Sequence, residues 1–387
     1  MTGTAHSLAA RMPTTAPAGS CHDHRRHSPR RDAVTVHTVE GSAALAWLEQ
    51  RWPTIYGTDP AATPFASPGW LLGWASQLPA SATPLLLLAT GRFGVHGALA
   101  LLREDHDHGT ALRTMSPYCE YVTVVGPGAQ DHHVADALAS RLSGLARAGA
   151  VVTLANLPAR SPLAMALRRQ PGWRHTTSRT AAVPLPLDLT ALSKSTRRQH
   201  TRREQALAGS GRVTYRRTRT AAGLLDALPA LVSLYDAQRQ AEVASTSGAW
   251  GAVLSRCADS AFIAEVTADG GAVMASQLCL YRNGHCYSVL PAMDLAMSRL
   301  APGHALLRWL AADLADDGFA FLDLGPTRET PGQVHYKAQY GPIWDVNLTS
   351  TAGGASAPHR RPGSGGTAHD APGPAPLLAS LTKDGTA

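Results

Sequence analysis

The chain has 387 residues, of which 44% are hydrophobic, and its formal net charge is +7. This length and composition fit a globular protein of about two ordinary domains and exclude a wholly disordered chain. The charge does not indicate a DNA-binding protein, because residues 1–33 hold +3 of it (five Arg against two Asp) and residues 352–387 hold +1.

Both ends of the chain have the composition of disordered tails. Residues 1–33 are mostly small and polar, and the three histidines among them, His22, His24 and His27, are not expected to bind a metal. Residues 352–387 include twelve Gly and Pro and offer little apolar surface to bury. The folded part is therefore expected between residues 34 and 351.

Targeting and cysteine patterns predict a cytoplasmic protein without membrane insertion. The N-terminal segment lacks the apolar run of a signal peptide, and the longest apolar run, from Leu85, is too short to span a bilayer. The five cysteines are an odd number without CxxC spacing, which favours neither a disulfide framework nor a zinc site.

The first half of the folded part begins with a predicted hairpin. The segment "PLLLLATGRFGVHGALALL" from Pro84 predicts two strands joined by a glycine-containing turn. The segment "VADALASRLSGLARAGAVVTLANL" then predicts an amphipathic helix, a stop at Gly149 and an apolar strand.

The same order of elements returns in the second half. Strands are predicted in "FIAEVTADGGAVMASQLCLYRNGHCYSVLPAMD", where Asn283-Gly284 is a two-residue hairpin turn. A helix with one apolar face, a stop at Gly318 and the strand "FAFLDLG" follow. We therefore predict an α/β (α+β) chain of two similar halves, residues 34–190 and 191–351. Each half is expected to be a mixed, mostly antiparallel sheet flanked by helices.

A basic helix is predicted between the halves in "LSKSTRRQHTRREQALAGSG", with Ser193 or Ser195 as its cap and Gly209 at its end. It carries Arg197, Arg198, Arg202 and Arg203. These arginines form either a solvated face or a contact with a phosphate or an acidic acceptor. Base recognition is not indicated, because there is neither helix-turn-helix spacing nor a pair of aromatics for stacking.

A glycine, Gly303, stands at the predicted start of the last long helix, where Ser, Thr or Asp would be the usual cap. Glycine lets a ligand come close to the backbone, and the N–H groups and dipole of a helix start suit a phosphate. We therefore predict a site for a phosphate-bearing co-substrate; the alternative is a loop glycine without function.

Three segments together resemble the CelD-like branch of the GNAT acyltransferase superfamily. They are "FASPGWLLGWA" from Phe65, "LSKSTRRQHTRREQAL" from Leu192, and "FLDLG" from Phe321 followed by "YKAQYG". The resemblance covers roughly residues 45–350. Proteins of this branch are related to the Fem-type peptidyltransferases, which carry two GNAT-like halves.

The resemblance implies acyl-CoA as co-substrate, held by a loop of the form Q/R-x-x-G-x-G/A. Gly303, His304 and Ala305 match its second part, while Leu300 stands at its first position and Arg299 precedes it. Pro302 removes one backbone donor from this loop, and the departure keeps aminoacyl-tRNA as an alternative donor. The resemblance also implies an oxyanion-binding N–H in the preceding strand, near Val289 and Leu290.

Residues after the strand "FLDLG" are the candidates for proton transfer. Tyr336 or His335 could protonate a thiolate, Asp323 or His335 could accept a proton from an amine, and Lys337 could steady a phosphate or an oxyanion. Three of them have a structural alternative: Asp323 as the cap of a loop, Tyr336 as a core residue and Lys337 as a surface charge. No metal is expected.

The favoured function is transfer of an acyl group other than an aminoacyl group, most simply acetyl, from acyl-CoA to an amine of a sugar, peptide or small metabolite. One alternative is a Fem-type transferase that uses charged tRNA, and another is a non-catalytic protein that binds a carbohydrate or peptide. The resemblance suggests polysaccharide or secondary-metabolite biosynthesis as the setting.

Overall fold

A computed structural model describes residues 33–107, 109–116, 118, 121–239, 247–327 and 330–354. Nearly all of both predicted tails lies outside these ranges, as do the three tail histidines. The described residues from 34 onward belong to one compact unit.

The described strands form one twelve-stranded sheet. In chain order they are β1 Thr35–Glu40, β2 Ala82–Gly91, β3 Gly94–His106, β4 Gly109–Thr114, β5 Val151–Pro158, β6 Arg174–Pro184, β7 Val213–Arg217, β8 Ala261–Ala268, β9 Val273–Arg282, β10 His285–Met293, β11 Phe321–Thr327 and β12 Ile343–Ala352. The order across the sheet is β1-β2-β3-β4-β5-β12-β6-β11-β10-β9-β8-β7.

Ten α-helices are described in the same ranges. They are α1 Gly41–Gln50, α2 Trp52–Gly57, α3 Pro68–Ala75, α4 His132–Arg147, α5 Pro162–Arg169, α6 Lys194–Gly209, α7 Ala221–Arg239, α8 Ser247–Cys257, α9 Pro302–Asp316 and α10 Pro331–Ala338. Between β10 and α9 lies a 3-10 turn, Leu295–Leu300.

The two halves repeat the same strand directions. Strands β1 to β4 pair in antiparallel fashion and β4 runs parallel to β5. Strands β7 to β10 likewise pair antiparallel and β10 runs parallel to β11. The predicted tandem, mostly antiparallel α/β fold is confirmed.

The halves exchange their last strands at the centre of the sheet. Strand β6 lies between β11 and β12, and β12 lies between β5 and β6. The predicted boundary near residue 190 falls in the connection after β6, although β6 pairs only with strands from the second half. The sequence pattern did not reveal this exchange, because pairing partners so far apart leave no local periodicity.

Several predicted local features occur as expected. Asn283 and Gly284 both have positive φ, 49° and 74°, as a two-residue hairpin turn of this type requires. Ser193 caps α6 by accepting a hydrogen bond from the Thr196 N–H at 3.1 Å. Gly318 has φ of 81° just after α9.

The second half buries one face of its sheet beneath α9 and the other beneath α7. The apolar face of α9, Leu306, Leu307, Leu310 and Leu314, is buried against β8 and β9. Side chains alternate between faces along a strand, so Leu322 of β11 joins the core under α9 while Asp323 points to the opposite face.

Candidate active site

A gap opens between β10 and β11 in the second half. Their parallel pairing is confined to His285–Tyr287 with Phe321–Asp323, and no pairing follows towards the carboxyl ends. Parallel strands that separate leave a slot with exposed backbone groups on both sides. This slot is where the predicted residues Val289, Leu290 and Asp323 converge.

A β-bulge at Val289 lies beside the gap. The register between β10 and β9 shifts between Ser288 and Leu290, so Val289 has no partner on β9. Val289 also lies after Tyr287, the last residue of β10 that pairs with β11. Its N–H is therefore a candidate oxyanion donor. Leu290 differs, since it pairs with Leu278 and is fully buried.

The start of α9 is left uncapped. Its N-cap residue, Ala301, has φ of 52° and offers no side-chain bond, and the first turn carries no acidic residue. The N–H groups of His304 and Ala305 turn back to the Ala301 carbonyl at 3.0 and 3.4 Å, whereas the Gly303 N–H has no backbone acceptor among the described residues. One backbone donor with a helix dipole behind it thus remains for an anion.

The fold itself does not require glycine at position 303. A Cβ atom there would have only the Met293 sulfur as a close neighbour, at an ordinary 3.7 Å, and no positive φ demands glycine. The glycine is therefore explained neither by packing nor by backbone conformation. A ligand that approaches the backbone would account for it.

The equivalent helix of the first half has a closed N-terminus. Asp131 caps α4 by accepting from the His133 N–H at 2.8 Å, which puts a carboxylate where an anion would bind. The glycine loop before it is filled by protein: a Cβ at Gly126 would lie 2.7 Å from the His96 carbonyl oxygen. Between these two helix starts, the one in the second half alone is open.

Histidine and tyrosine side chains gather beside the start of α9. The His304 ring lies 4.7 Å from that of Tyr336, and its Nδ1 atom lies 2.5 Å from the Tyr340 hydroxyl. Burial lowers the pKa of His304 to about 3, with a contribution from Arg203. His304 is thus uncharged near neutral pH and cannot add a positive charge to the helix start.

Tyr336 keeps its proton at neutral pH. Burial raises its pKa to about 12, against the opposing effects of its bond with Tyr340 and of Arg203. It lies on α10, a helix that the sequence analysis did not predict. His335 of the same helix is exposed.

The basic helix α6 packs against α9 and the 3-10 turn that carries Arg299. Its arginines differ in environment. Arg197 donates to the carbonyls of Thr190 and Leu192, both at 2.8 Å, and Arg203 donates to the Gln339 side chain at 2.6 Å. Arg198 and Arg202 are exposed and lie four residues apart on one face of the helix.

Asp323 is a buried carboxyl group on the α7 side of the sheet, at the point where β10 and β11 part. Its Oδ1 atom accepts from the Gly325 N–H at 2.7 Å, and its Oδ2 atom accepts from the Tyr121 hydroxyl at 2.5 Å. Burial raises its pKa to about 6, although these bonds and Lys337 oppose that rise. A carboxyl group with this pKa is largely ionised at pH 7 and can accept a proton.

Lys337 holds the irregular end of β11. The register between β11 and β6 shifts between Asp323 and Pro326. The Lys337 ammonium donates to the carbonyls of Leu324, Gly325 and Pro326 at 2.7, 2.8 and 2.9 Å. These bonds occupy its three hydrogens, so it stabilises the strand rather than offering charge to a phosphate or an oxyanion.

Sequence reasoning missed Tyr121, Thr180 and Tyr340 as members of this region. Tyr121 and Thr180 belong to the first half and reach Asp323 through tertiary folding alone, so no motif or spacing could have indicated them. Tyr340 is different, because it stands four residues after Tyr336, a spacing that places both on one face of a helix.

Residues 194–338 match the family model described as an acetyltransferase (GNAT) domain. This part of the chain is identified as a GNAT domain. The matched residues include α6, the gap between β10 and β11, α9 and α10, which together form the candidate active site. A comparison with curated protein sequences finds no match.

Solved structures extend the likeness in fold to both halves of the chain. FemX is 10% identical with a TM-score of 0.56, over 78% of this chain and 95% of FemX. A conserved protein of unknown function from Bacteroides thetaiotaomicron VPI-5482 is 10% identical with a TM-score of 0.51, over 80% of this chain and 97% of that one. At this identity the likeness concerns the fold alone.

In the described residues, no group of three or more His, Cys, Asp or Glu lies close enough together to hold a metal ion. None of the helices in those ranges combines the length and the apolar character needed to cross a membrane.

Proposed function

We propose that this GNAT protein is an N-acyltransferase that moves an acyl group, most simply acetyl, from acyl-CoA to an amine. The observation that carries the proposal is the open start of α9, with the unpaired Gly303 N–H, next to the gap between β10 and β11. The closed, Asp131-capped start of α4 supports assigning the donor to the second half.

The residues around the start of α9 and the gap have the chemical character needed to bind acyl-CoA. The pyrophosphate would bind the Gly303 N–H at the positive end of α9, with Arg299, Arg198 and Arg202 as nearby exposed cations. His304 would contribute shape rather than charge, since its pKa lies at about 3. The Val289 N–H would bind the thioester oxygen as negative charge develops on it.

Acid and base would act from opposite faces of the sheet. Asp323 faces the α7 side, whereas Tyr336 packs against the core under α9. The amine nitrogen bonds to the acyl carbon as the carbon–sulfur bond breaks. Asp323 takes the proton that leaves the nitrogen, and Tyr336 gives its proton to the departing thiolate, which balances the reaction.

The fold likeness to FemX favours a second candidate, transfer of an aminoacyl group from charged tRNA. Exposed Arg198 and Arg202 are compatible with a polyanionic donor of that kind. The acceptor in either case is a small molecule, a carbohydrate or a peptide, and the cytoplasm remains the predicted location.

Calorimetry with acetyl-CoA, CoA and charged tRNA tests the choice of donor. Acetyl-CoA is expected to bind, and at 100 times its Kd it should raise the free energy of unfolding by about 2.7 kcal/mol. Binding of charged tRNA without acetyl-CoA would favour the second candidate. Thiol release with a panel of aminosugars, amino acids and peptides then identifies the acceptor; binding without any transfer would indicate a non-catalytic protein.

A further inference from the structure

Tyr121 and Asp323 form a hydrogen bond that joins the two halves of the chain. Tyr121 lies between β4 and α4 in the first half, and Asp323 lies on β11 in the second. The O···O distance of 2.5 Å is at the short end for a hydroxyl that donates to a carboxylate. Both residues are buried, so water does not weaken the bond.

Thr180 extends this bond into a chain of three groups. Its hydroxyl lies 2.5 Å from the Tyr121 hydroxyl, and it belongs to β6, the strand exchanged into the centre of the sheet. When Asp323 is ionised, Thr180 donates to Tyr121 and Tyr121 donates to Asp323. When Asp323 is protonated, the same bonds can reverse direction, so the chain is satisfied in both states.

Other neighbouring groups also influence the ionisation of Asp323. The Lys337 ammonium favours the carboxylate, whereas Tyr287 and Cys286 of β10 interact with it electrostatically from the neighbouring strand. Burial raises the pKa of Tyr287, so that phenol stays neutral near pH 7. Tyr121 donates the bond that Oδ2 accepts at 2.5 Å, and a hydrogen bond with Thr180 also lowers the pKa of Asp323, by a smaller amount.

We propose that Tyr121 is a positioning residue through which the first half of the chain fixes the orientation and protonation state of Asp323. The inference rests on the proposed function, because it takes Asp323 as the group that accepts the amine proton. It gives the first half a part in the chemistry although that half's own helix start is closed. The acid–base site is then complete only when both halves are folded together.

The test is the pH dependence of kcat/KM for Tyr121→Phe, with Tyr215→Phe as the matched control. Tyr215 also donates to a carboxylate, Asp313, at 2.8 Å, but at the far side of the second half. Loss of the Tyr121 donor removes a bond to the ionised form, so the acidic limb should move to higher pH by about one unit. KM for the donor should change little, and Tyr215→Phe should keep the wild-type profile.

Thr180 provides a second pair of variants that preserve side-chain volume. Thr180→Val should shift the acidic limb in the same direction by a smaller amount, because Tyr121 loses its own donor and Asp323 loses its weaker bond with Thr180. Thr180→Ser keeps the hydroxyl and should keep the profile. A shift in Thr180→Ser equal to that in Thr180→Val would assign the effect to packing and overturn the proposal.

A direct titration of the Asp323 carboxyl by ¹³C NMR, referenced to Asp323→Asn, separates this inference from the proposed function. The carboxyl pKa should rise in Tyr121→Phe whether or not the protein acylates the amines tested. If no amine is acylated but the titration shifts, the proposed function fails and the role of Tyr121 stands. An unmoved titration overturns the role of Tyr121, even where turnover falls.

Discussion

The Nζ atom of Lys337 lies 2.7 Å from the carbonyl oxygen of Leu324, the first of three consecutive carbonyls that this ammonium holds at the end of β11. The bulge between Asp323 and Pro326 takes this stretch of β11 out of regular pairing with β6, and Lys337 supplies donors to it. One buried side chain therefore fixes the strand end that carries Asp323.

Lys337→Met should consequently destabilise the protein. Loss of three bonds, one to a buried carbonyl and two to partly buried ones, is expected to lower the free energy of unfolding by about 2–4 kcal/mol in urea titrations. Lys194→Met, at an exposed position on α6, is the control and should change stability by no more than about 0.5 kcal/mol. A stable Lys337→Met protein with weakened donor binding would instead favour the ligand-binding role predicted from the sequence.

Gly303→Ala separates folding from binding at the start of α9. The added methyl group fits the protein, so stability should stay the same or rise by up to about 1 kcal/mol. The affinity for acetyl-CoA in calorimetry should fall by about tenfold or more, because the methyl group keeps the phosphate from the backbone.

Gly144→Ala is the matched control for that substitution. Gly144 lies within α4, and a Cβ there would have no neighbour within 4 Å. The variant should gain stability without any change in donor affinity. Equal affinity in Gly303→Ala and the wild type would remove the phosphate site from the start of α9.

Tyr336→Phe tests the proposed general acid. Turnover should fall by at least about tenfold while donor affinity stays nearly constant, because the phenol gives up its proton only as the thiolate leaves. Tyr281→Phe, which loses a bond to the exposed Asp259 carbonyl, serves as control and should keep full turnover. Unreduced turnover in Tyr336→Phe would make this tyrosine a packing residue.

Arg198→Gln combined with Arg202→Gln tests the exposed face of α6. We expect donor affinity to fall by about three- to tenfold at low ionic strength and its salt dependence to flatten, because the interaction is between solvent-exposed charges. The control pair Arg168→Gln and Arg174→Gln removes two exposed charges from the first half. If the Arg198→Gln/Arg202→Gln variant binds the donor as tightly as the control variant does, these two arginines only face solvent.

Local patterns predicted the repeating elements but not how they assemble. The hairpin at Asn283-Gly284 and the buried leucines of α9 follow from turn chemistry and helical periodicity, which neighbouring residues determine. The exchange of β6 and β12 depends on pairing between distant segments, as between Ile343 and Ala182, and leaves no local signal.

The candidate site divides in the same way. The glycine at position 303 and the position of Tyr336 were accessible to sequence reasoning, since a helix start and a family motif marked them. The bonds of Asp323 with Tyr121, and the three carbonyls around Lys337, required the tertiary structure. Lys337 is the clearest example, because the sequence does not show whether the ammonium hydrogens of a lysine are already bonded to backbone carbonyls.

The exchanged strands also determine when this protein can finish folding during synthesis. β12 provides the partner that β5 and β6 share at the centre of the sheet, and it ends at Ala352. Until that residue leaves the ribosome, β5 and β6 each have an unpaired edge, and exposed edges of this kind invite pairing with other chains. Contacts of such long sequence separation also form slowly. The sheet of the nascent first half therefore stays incomplete until almost all of the folded part has been translated.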